Sequence, residues 1–283
     1  MTFASSLLFA AVTVGTWNGE WFPSGRAEHR AAPEIEEATV QAAGRMLRDG
    51  LAKADPEGTN GVIICLNEMR GPKVVERLCT AIGRTNLTVA IISGYRRRDR
   101  FDQQQDAIIT TLPVTEAHWS KWKSAKQDTP PRGYAFAKIV LSPAVTANVY
   151  SVHLKSNYGQ TTDELARRNA AKRLNAIAQI AESEKDRRGK RQSVIVAGDF
   201  NADKWSKRFS LDRLFTVLEE AGFMNTLELM PASLRVTYPG SGKWGNSALD
   251  YIMLKALEPC GPPFTVSAEG ISDHDPVFVN IAP

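Results

Sequence analysis

Two hydrophobic periods share this 283-residue chain, one close to two residues and one close to 3.6. Apolar, β-branched runs predict strands at 11–17, 62–66, 87–92, 107–112, 134–141, 147–153, 193–198, 249–254 and 276–281. Ser142-Pro143 reads as the start of a hairpin connection between two of them. The helical period predicts helices at 34–54, 72–82, 163–182 and 211–221. Pro33 suits the first helical position of the first, with acids early and Arg/Lys later. The segment after residue 112 carries Trp119, Trp122, Lys121, Lys123 and Lys126, shows neither period, and predicts a long loop. Short strands interspersed with long helices predict an α/β chain with mixed sheets. No Pro/Gly/Ser-rich linker divides it, so residues 1–283 read as a single domain.

Composition narrows the picture only a little. Hydrophobic residues at 43% and charged residues at 23% suit a chain that buries a sizeable core, and exclude a disordered one. The net charge of +4 permits an anionic substrate without demanding one. Cys65, Cys79 and Cys260 have no ligand spacing, which argues against a disulfide framework and a thiolate zinc site. Met1–Val12 has the apolar length of an export-signal core but no basic residue ahead of it, and it leads into a predicted strand. It reads as a remnant export signal or as the approach to that strand. No run is long enough to span a bilayer, so a soluble, monomeric chain without a stable protein partner is expected, with the cytoplasm slightly favoured over export.

The chemistry gathers where strands end. Asn18 follows the first predicted strand, Asn67-Glu68 the second, and His153 closes another with Lys155, Ser156 and Asn157 behind it. Gly198-Asp199-Phe200-Asn201 follows the run at 193–198, and Ser272-Asp273-His274-Asp275 precedes the last strand. Open α/β sheets place ligand groups at the carboxyl ends of strands, and an antiparallel last strand would begin on that same edge. Each piece alone also reads as something simpler: an Asx turn, a solvated loop, a hydrogen-bonded strand-end histidine. Asp250 inside an apolar strand is different, because a buried carboxylate needs a partner. Together the pieces predict one rim of carboxylates, amides and two imidazoles, a donor set suited to Mg²⁺ or Mn²⁺ rather than zinc.

These motifs, from Thr16-Trp17-Asn18 and Asn67-Glu68 through Ser151–Ser156 and Gly198–Asn201 to Leu249–Ile252 and Ser272–Pro276, resemble the endonuclease/exonuclease/phosphatase superfamily in kind and order. That superfamily includes deoxyribonucleases, apurinic endonucleases, sphingomyelinases and inositol polyphosphate phosphatases. The resemblance implies a four-layer α/β/β/α sandwich with two packed mixed β-sheets. It implies Glu68 as the main metal ligand, with Asn18 and Asp273 lining the metal pocket directly or through water. Asp199 and Asn201 would orient the attacking water and the phosphate. His274, held by Asp250, would act as base or phosphate-stabilising group, and His153 would be the second catalytic histidine. Three departures stand out: Asn67 where the family usually has glutamine, Gln103–Gln105 where a glycine commonly leads the strand, and no clear match for the acid behind the first histidine, for which Asp102 or Asp106 could serve.

Nucleic acid, DNA first, is the expected substrate. Arg96, Arg97, Arg98 and Arg100 form one basic run, Arg187–Arg191 a second, and Trp205 lies between Lys204 and Lys207. Basic residues interleaved with tryptophan suit backbone contact and base stacking. Lys155, Asn157, Arg96, Arg98 and Trp205 are the candidate substrate contacts. The alternatives are a phosphatase or phospholipase C-type enzyme on inositol phosphates or sphingomyelin, and an inactive binding module on the same fold.

Overall fold

Strands that alternate between two hydrophobic environments dominate the computed structural model, which describes residues 11–25, 30–97, 100–101, 103–124, 128–157, 162–186, 192–240 and 245–283. The chain runs β1 (Val12–Phe22), α1 (Pro33–Ala54), β2 (Gly61–Met69), α2 (Pro72–Ile82), β3 (Thr88–Ile92), β4 (Arg96–Arg97), β5 (Arg100–Phe101) and β6 (Gln105–Thr110). It continues through β7 (Val114–Lys121), β8 (Gly133–Ser142), β9 (Val145–His153), α3 (Asp163–Ser183), β10 (Ser193–Asp199), α4 (Leu214–Glu220) and β11 (Met224–Asn225). Strands β12 (Asp250–Lys255), β13 (Glu258–Pro259), β14 (Phe264–Thr265) and β15 (Val277–Ala282) complete it.

One sheet has the order β13-β15-β1-β2-β6-β3, with β14 also on β15; the other has β11-β12-β10-β9-β8-β7. Each contains one parallel pair, β1 with β2 and β9 with β10, among antiparallel neighbours. Side chains on β2 show how the layers arise. Ile63 and Cys65 join the core shared with the second sheet, whereas Val62, Ile64 and Leu66 join a core with Leu47 of α1 and Leu78 of α2. Successive strand side chains point to opposite faces, so a continuous apolar run is buried twice. Ala176, Ile177 and Ile180 of α3 and Leu214 and Leu218 of α4 cover the far side of the second sheet. The result is the α/β/β/α sandwich. Among the described residues no helix is long and apolar enough to cross a membrane.

The sequence-based expectation fails at 114–121, which is the edge strand β7 paired with β8 and not loop. Nearly all its side chains are exposed. On it His118 rests against Phe136 and Trp119 against Tyr95, too little packing to impose apolar alternation, and its polar side chains discourage further pairing. Trp122 is buried, so this region is not an exposed apolar loop. The run at 187–191 and residues 1–10 lie outside the described residues.

Candidate active site

Register alone assembles half the site. Asp199 ends β10 opposite His153 of β9 on one side and opposite Asp250 of β12 on the other. Gly198 makes that approach possible: its φ is 146°, and a Cβ there would sit 1.9 Å from the Val152 carbonyl oxygen. The facing sheet contributes through irregularities. The β1–β2 register shifts between Asn18 and Phe22, and the β2–β6 register between Leu66 and Met69. Glu20, Trp21 and Glu68 adopt left-handed φ values of 49°, 58° and 58° there. Bulged, strained backbone of this kind re-aims side chains at functional sites.

Glu68 and Asp199 meet across the sandwich. Asn18 Nδ2 donates to Asp199 Oδ2 at 2.9 Å and lies 3.4 Å from Glu68 Oε1. His153 Nε2 stands 3.5 Å from Glu68 Oε1 and 3.6 Å from Asp199 Oδ2. Asn201 donates to Asp199 through both its backbone N–H, at 2.7 Å, and its Nδ2, at 2.8 Å. The Trp21 backbone N–H holds Glu68 Oε2 at 3.1 Å. Beneath them Asn67 links the two sheets: its Oδ1 accepts from the Asp199 N–H and its Nδ2 donates to Asp106 and Ser151. Burial raises Asp199 above the carboxylate range to about 7, against the nearby His274 and with the like charge of Asp250.

His274 enters from the turn before β15, which runs antiparallel to β1. Its Nδ1 lies 2.7 Å from Asp250 Oδ2, and that oxygen also accepts from Thr237 Oγ1 at 2.8 Å. Thr237 Oγ1 in turn accepts from the backbone N–H groups of Leu249 and Asp250. The buried carboxylate in the apolar strand thus has its partners on Oδ2, while its Oδ1 has none among the described residues. Burial would lower His274, but the Asp250 carboxylate outweighs it and raises the imidazole to about 10. His153 goes the other way. Burial first, then the positive charge of Arg132, His274 and Lys155, drives it well below 6.5. At neutral pH the site therefore pairs one imidazolium with one neutral imidazole.

Other expected residues fall less centrally. Asp273 is half exposed, with Oδ1 3.7 Å from His274 Nε2 and its N–H on Glu20 Oε2, so it flanks His274 and not Glu68. Asp275 caps a turn, accepting from the Ala268 N–H. Lys155 Nζ bonds the Ser156 carbonyl, and Asn157 Oδ1 is engaged by Arg173, so both brace the loop behind His153. Asp106 does not support His153: it accepts from Asn67 and Tyr95, and His153 Nδ1 has no partner among the described residues. Asp102 and Arg98 lie outside the described residues. Arg96 sits in the β4–β5 hairpin beside a cleft that includes Trp21. Trp205 is 40% exposed, stacks near Tyr251, and carries the Arg235 guanidinium 4.5 Å over its ring.

Several contributors escaped the sequence. Thr237 lies in no periodic run. Arg173, 1% exposed, forms a double salt bridge to Asp212 and holds the Lys155 carbonyl at 2.6 Å. Arg132, with φ 61°, donates to the carbonyls of His153 and Leu154. The one available signal was Arg173, a cation on the apolar side of a predicted helix.

Glu68 and Asp199, two nearly buried carboxylates turned on one Asn18 amide, form an oxygen-rich pocket that fits a hard divalent cation. Asp199, Asp250 and His274 also bring one ligand atom each within 4.8 Å of one another, but the Asp250–His274 hydrogen bond already accounts for that closeness.

The chain belongs to the Endonuclease/Exonuclease/phosphatase family, whose family profile matches residues 15–274. Members of that family are phosphoesterase hydrolases, generally dependent on a divalent metal. Among solved structures the fold is similar to an endonuclease/exonuclease/phosphatase family protein from Leptotrichia buccalis C-1013-b, at TM-score 0.62 and 14% identity over 96% of this chain and 100% of the other. It is similar to D. rerio TDP2 complexed with single strand DNA product, at 0.61 and 15% over 97% and 100%. It is also similar to sphingomyelinase C from Streptomyces griseocarneus, at 0.58 and 17% over 95% and 99%. No curated protein matches the chain.

Proposed function

We propose that this chain is a divalent-metal-dependent phosphodiesterase acting on nucleic acid, DNA first. The observation that carries the reading is the convergence of Glu68 Oε1 and Asp199 Oδ2 on His153 Nε2, within 3.6 Å, beside a His274 kept cationic by Asp250. Glu68 would hold Mg²⁺ or Mn²⁺ through its carboxylate, with Asn18, whose Nδ2 faces Glu68 and Asp199 and whose Oδ1 accepts from the Glu20 N–H, lining the pocket, and Asp273 would reach it through water. A bound divalent cation supplies charge to the phosphate and to the departing oxygen. Asp199 and Asn201 orient the attacking water. The His274 imidazolium donates to a phosphate oxygen as negative charge builds there. Neutral His153 donates its Nε2–H to a second phosphate oxygen.

For the substrate, support comes from Trp205 under Arg235 and from the Arg96-bearing cleft, both on the catalytic rim. The DNA product bound in the TDP2 structure fits the same reading. The test is a panel of plasmid DNA, single-stranded DNA, RNA, sphingomyelin and inositol polyphosphate, each with Mg²⁺, Mn²⁺ or EDTA. Chelator-sensitive cleavage of a nucleic acid is expected. Turnover of sphingomyelin or inositol polyphosphate alone overturns the substrate, and no turnover of anything points to an inactive binding module.

A further inference from the structure

Sheet register carries the catalytic rim into a second region. His153 and Asp199 are neighbours on β9 and β10, Val152 faces Tyr134 on β8, and Gly133 faces Lys121 on β7. Arg132 thus stands one strand from His153, in contact with its carbonyl, and Lys121 two strands beyond it, roughly 10 Å along the same edge. A cleft of about 480 Å³ opens there, within the ~300–1,000 Å³ range of small-ligand sites. Its wall includes three aromatic rings, Trp21, Tyr95 and Trp122, and three cations, Arg96, Lys121 and Arg132, with no carboxylate among the described residues. Two buried donors in that wall, Trp122 Nε1 and Arg132 Nε, have no hydrogen-bond partner among the described residues.

The cleft shares its walls with the catalytic centre. Trp21 lines it while its backbone N–H holds Glu68. Arg132 lines it while its guanidinium holds the His153 and Leu154 carbonyls at 3.2 and 3.3 Å. Cations alone would suit any phosphate. Tyr95 and Trp122 are buried, so the half-buried Trp21 is the ring of the three with a face to offer. Such a face beside cations suits a ligand with a phosphate and a flat base, because bases stack on such rings whatever their sequence. An inositol polyphosphate has no flat base to stack on Trp21.

We infer that this cleft is the subsite for the nucleotide next to the scissile phosphate in single-stranded nucleic acid, its phosphate met by Lys121 and Arg96 and its base by Trp21. The inference rests on the nucleic-acid reading above and adds where the strand lies: along the β7–β8 end of the rim.

The experiment measures binding of a fluorescein-labelled thymidine hexanucleotide by anisotropy, in EDTA so that no turnover intervenes, across a salt series. Lys121 is exposed on an edge strand, so Lys121→Ser leaves folding intact. Lys185→Ser, on the opposite edge, controls for net charge. Expected are a Kd about tenfold weaker for Lys121→Ser, a salt slope shallower by ~0.7, and wild-type behaviour for Lys185→Ser. Wild-type Kd in Lys121→Ser, or equal weakening by Lys185→Ser, overturns the subsite. So does an absence of binding in the unaltered protein. Cleavage is assayed separately with Mg²⁺ and Mn²⁺. Binding through Lys121 without cleavage keeps the subsite and removes the hydrolytic reading, whereas cleavage with binding indifferent to Lys121 does the reverse.

Discussion

Replacing Asp250 with asparagine removes one charge from the centre and keeps the side chain's shape. Asp250 is fully buried, and its Oδ2 lies 2.7 Å from His274 Nδ1. With that partner present, His274 titrates at about 10 in place of 6.5. Each pKa unit corresponds to ~1.4 kcal/mol, so the net preference for imidazolium is on the order of 5 kcal/mol, after a burial term that acts in the opposite direction. In Asp250→Asn burial is opposed by the weaker attractions of Asp199 and Asp273, and His274 should be neutral at pH 7. The linkage sign follows: a raised folded-state pKa stabilises fully below about 6.5, and that contribution is lost as pH climbs through about 10. The wild type should therefore lose stability across that alkaline window, and the variant should lose much less. Nitrogen-15 NMR of the His274 ring follows the titration directly, and urea midpoints at pH 6.5, 8 and 9.5 follow the stability. Turnover at pH 7 should fall ~10²–10³-fold with the imidazolium gone. A ring in Asp250→Asn that still titrates near 10, or a rate loss below tenfold, would refute the dyad.

Glu68→Gln should abolish activity and its response to added Mg²⁺ together, with the thermal midpoint in EDTA little changed; a retained Mg²⁺ dependence would remove Glu68 from the metal pocket. Thr237→Val deletes the hydroxyl that donates to Asp250 and accepts two backbone N–H groups. It should cost ~1–3 kcal/mol in urea unfolding and reduce turnover, and an unchanged midpoint would show that Thr237 is not structurally needed. Asp106 is fully buried, and burial lifts it from 3.8 to about 7 against the opposing influence of Arg132, Asn67 and Tyr95. Its folded-state pKa being raised, its stabilising contribution is complete below about 3.8 and disappears as pH rises through about 7, a loss on the order of a few kcal/mol. Asp106→Asn should flatten the stability profile between pH 4 and 7; a profile parallel to wild type would show that Asp106 ionises freely.

The chain's periodicity determined its strands and helices, whereas the four layers were implied only by the family resemblance. Continuous apolar runs such as 62–66 can only be strands covered on both faces, and 34–54 and 72–82 carry the stripes of the helices that cover one side. The acids and imidazoles at strand ends were equally legible, because a functional side chain at the end of a buried run has one rim on which to emerge. Asp250 announced its own partner by being a carboxylate among apolar neighbours. Tertiary structure alone decided the rest. Strand β7 is hydrogen-bonded at an edge and is mostly exposed, so no period marks it. Thr237, Arg132 and Arg173 act through hydrogen bonds to groups 12 or more residues away, and spacing along a chain does not encode such pairings. Which histidine carries the proton was also undecided until folding. Both are buried imidazoles at the same rim, and only the 2.7 Å contact of His274 with Asp250, against a His153 whose Nδ1 has no partner among the described residues, separates cation from neutral base.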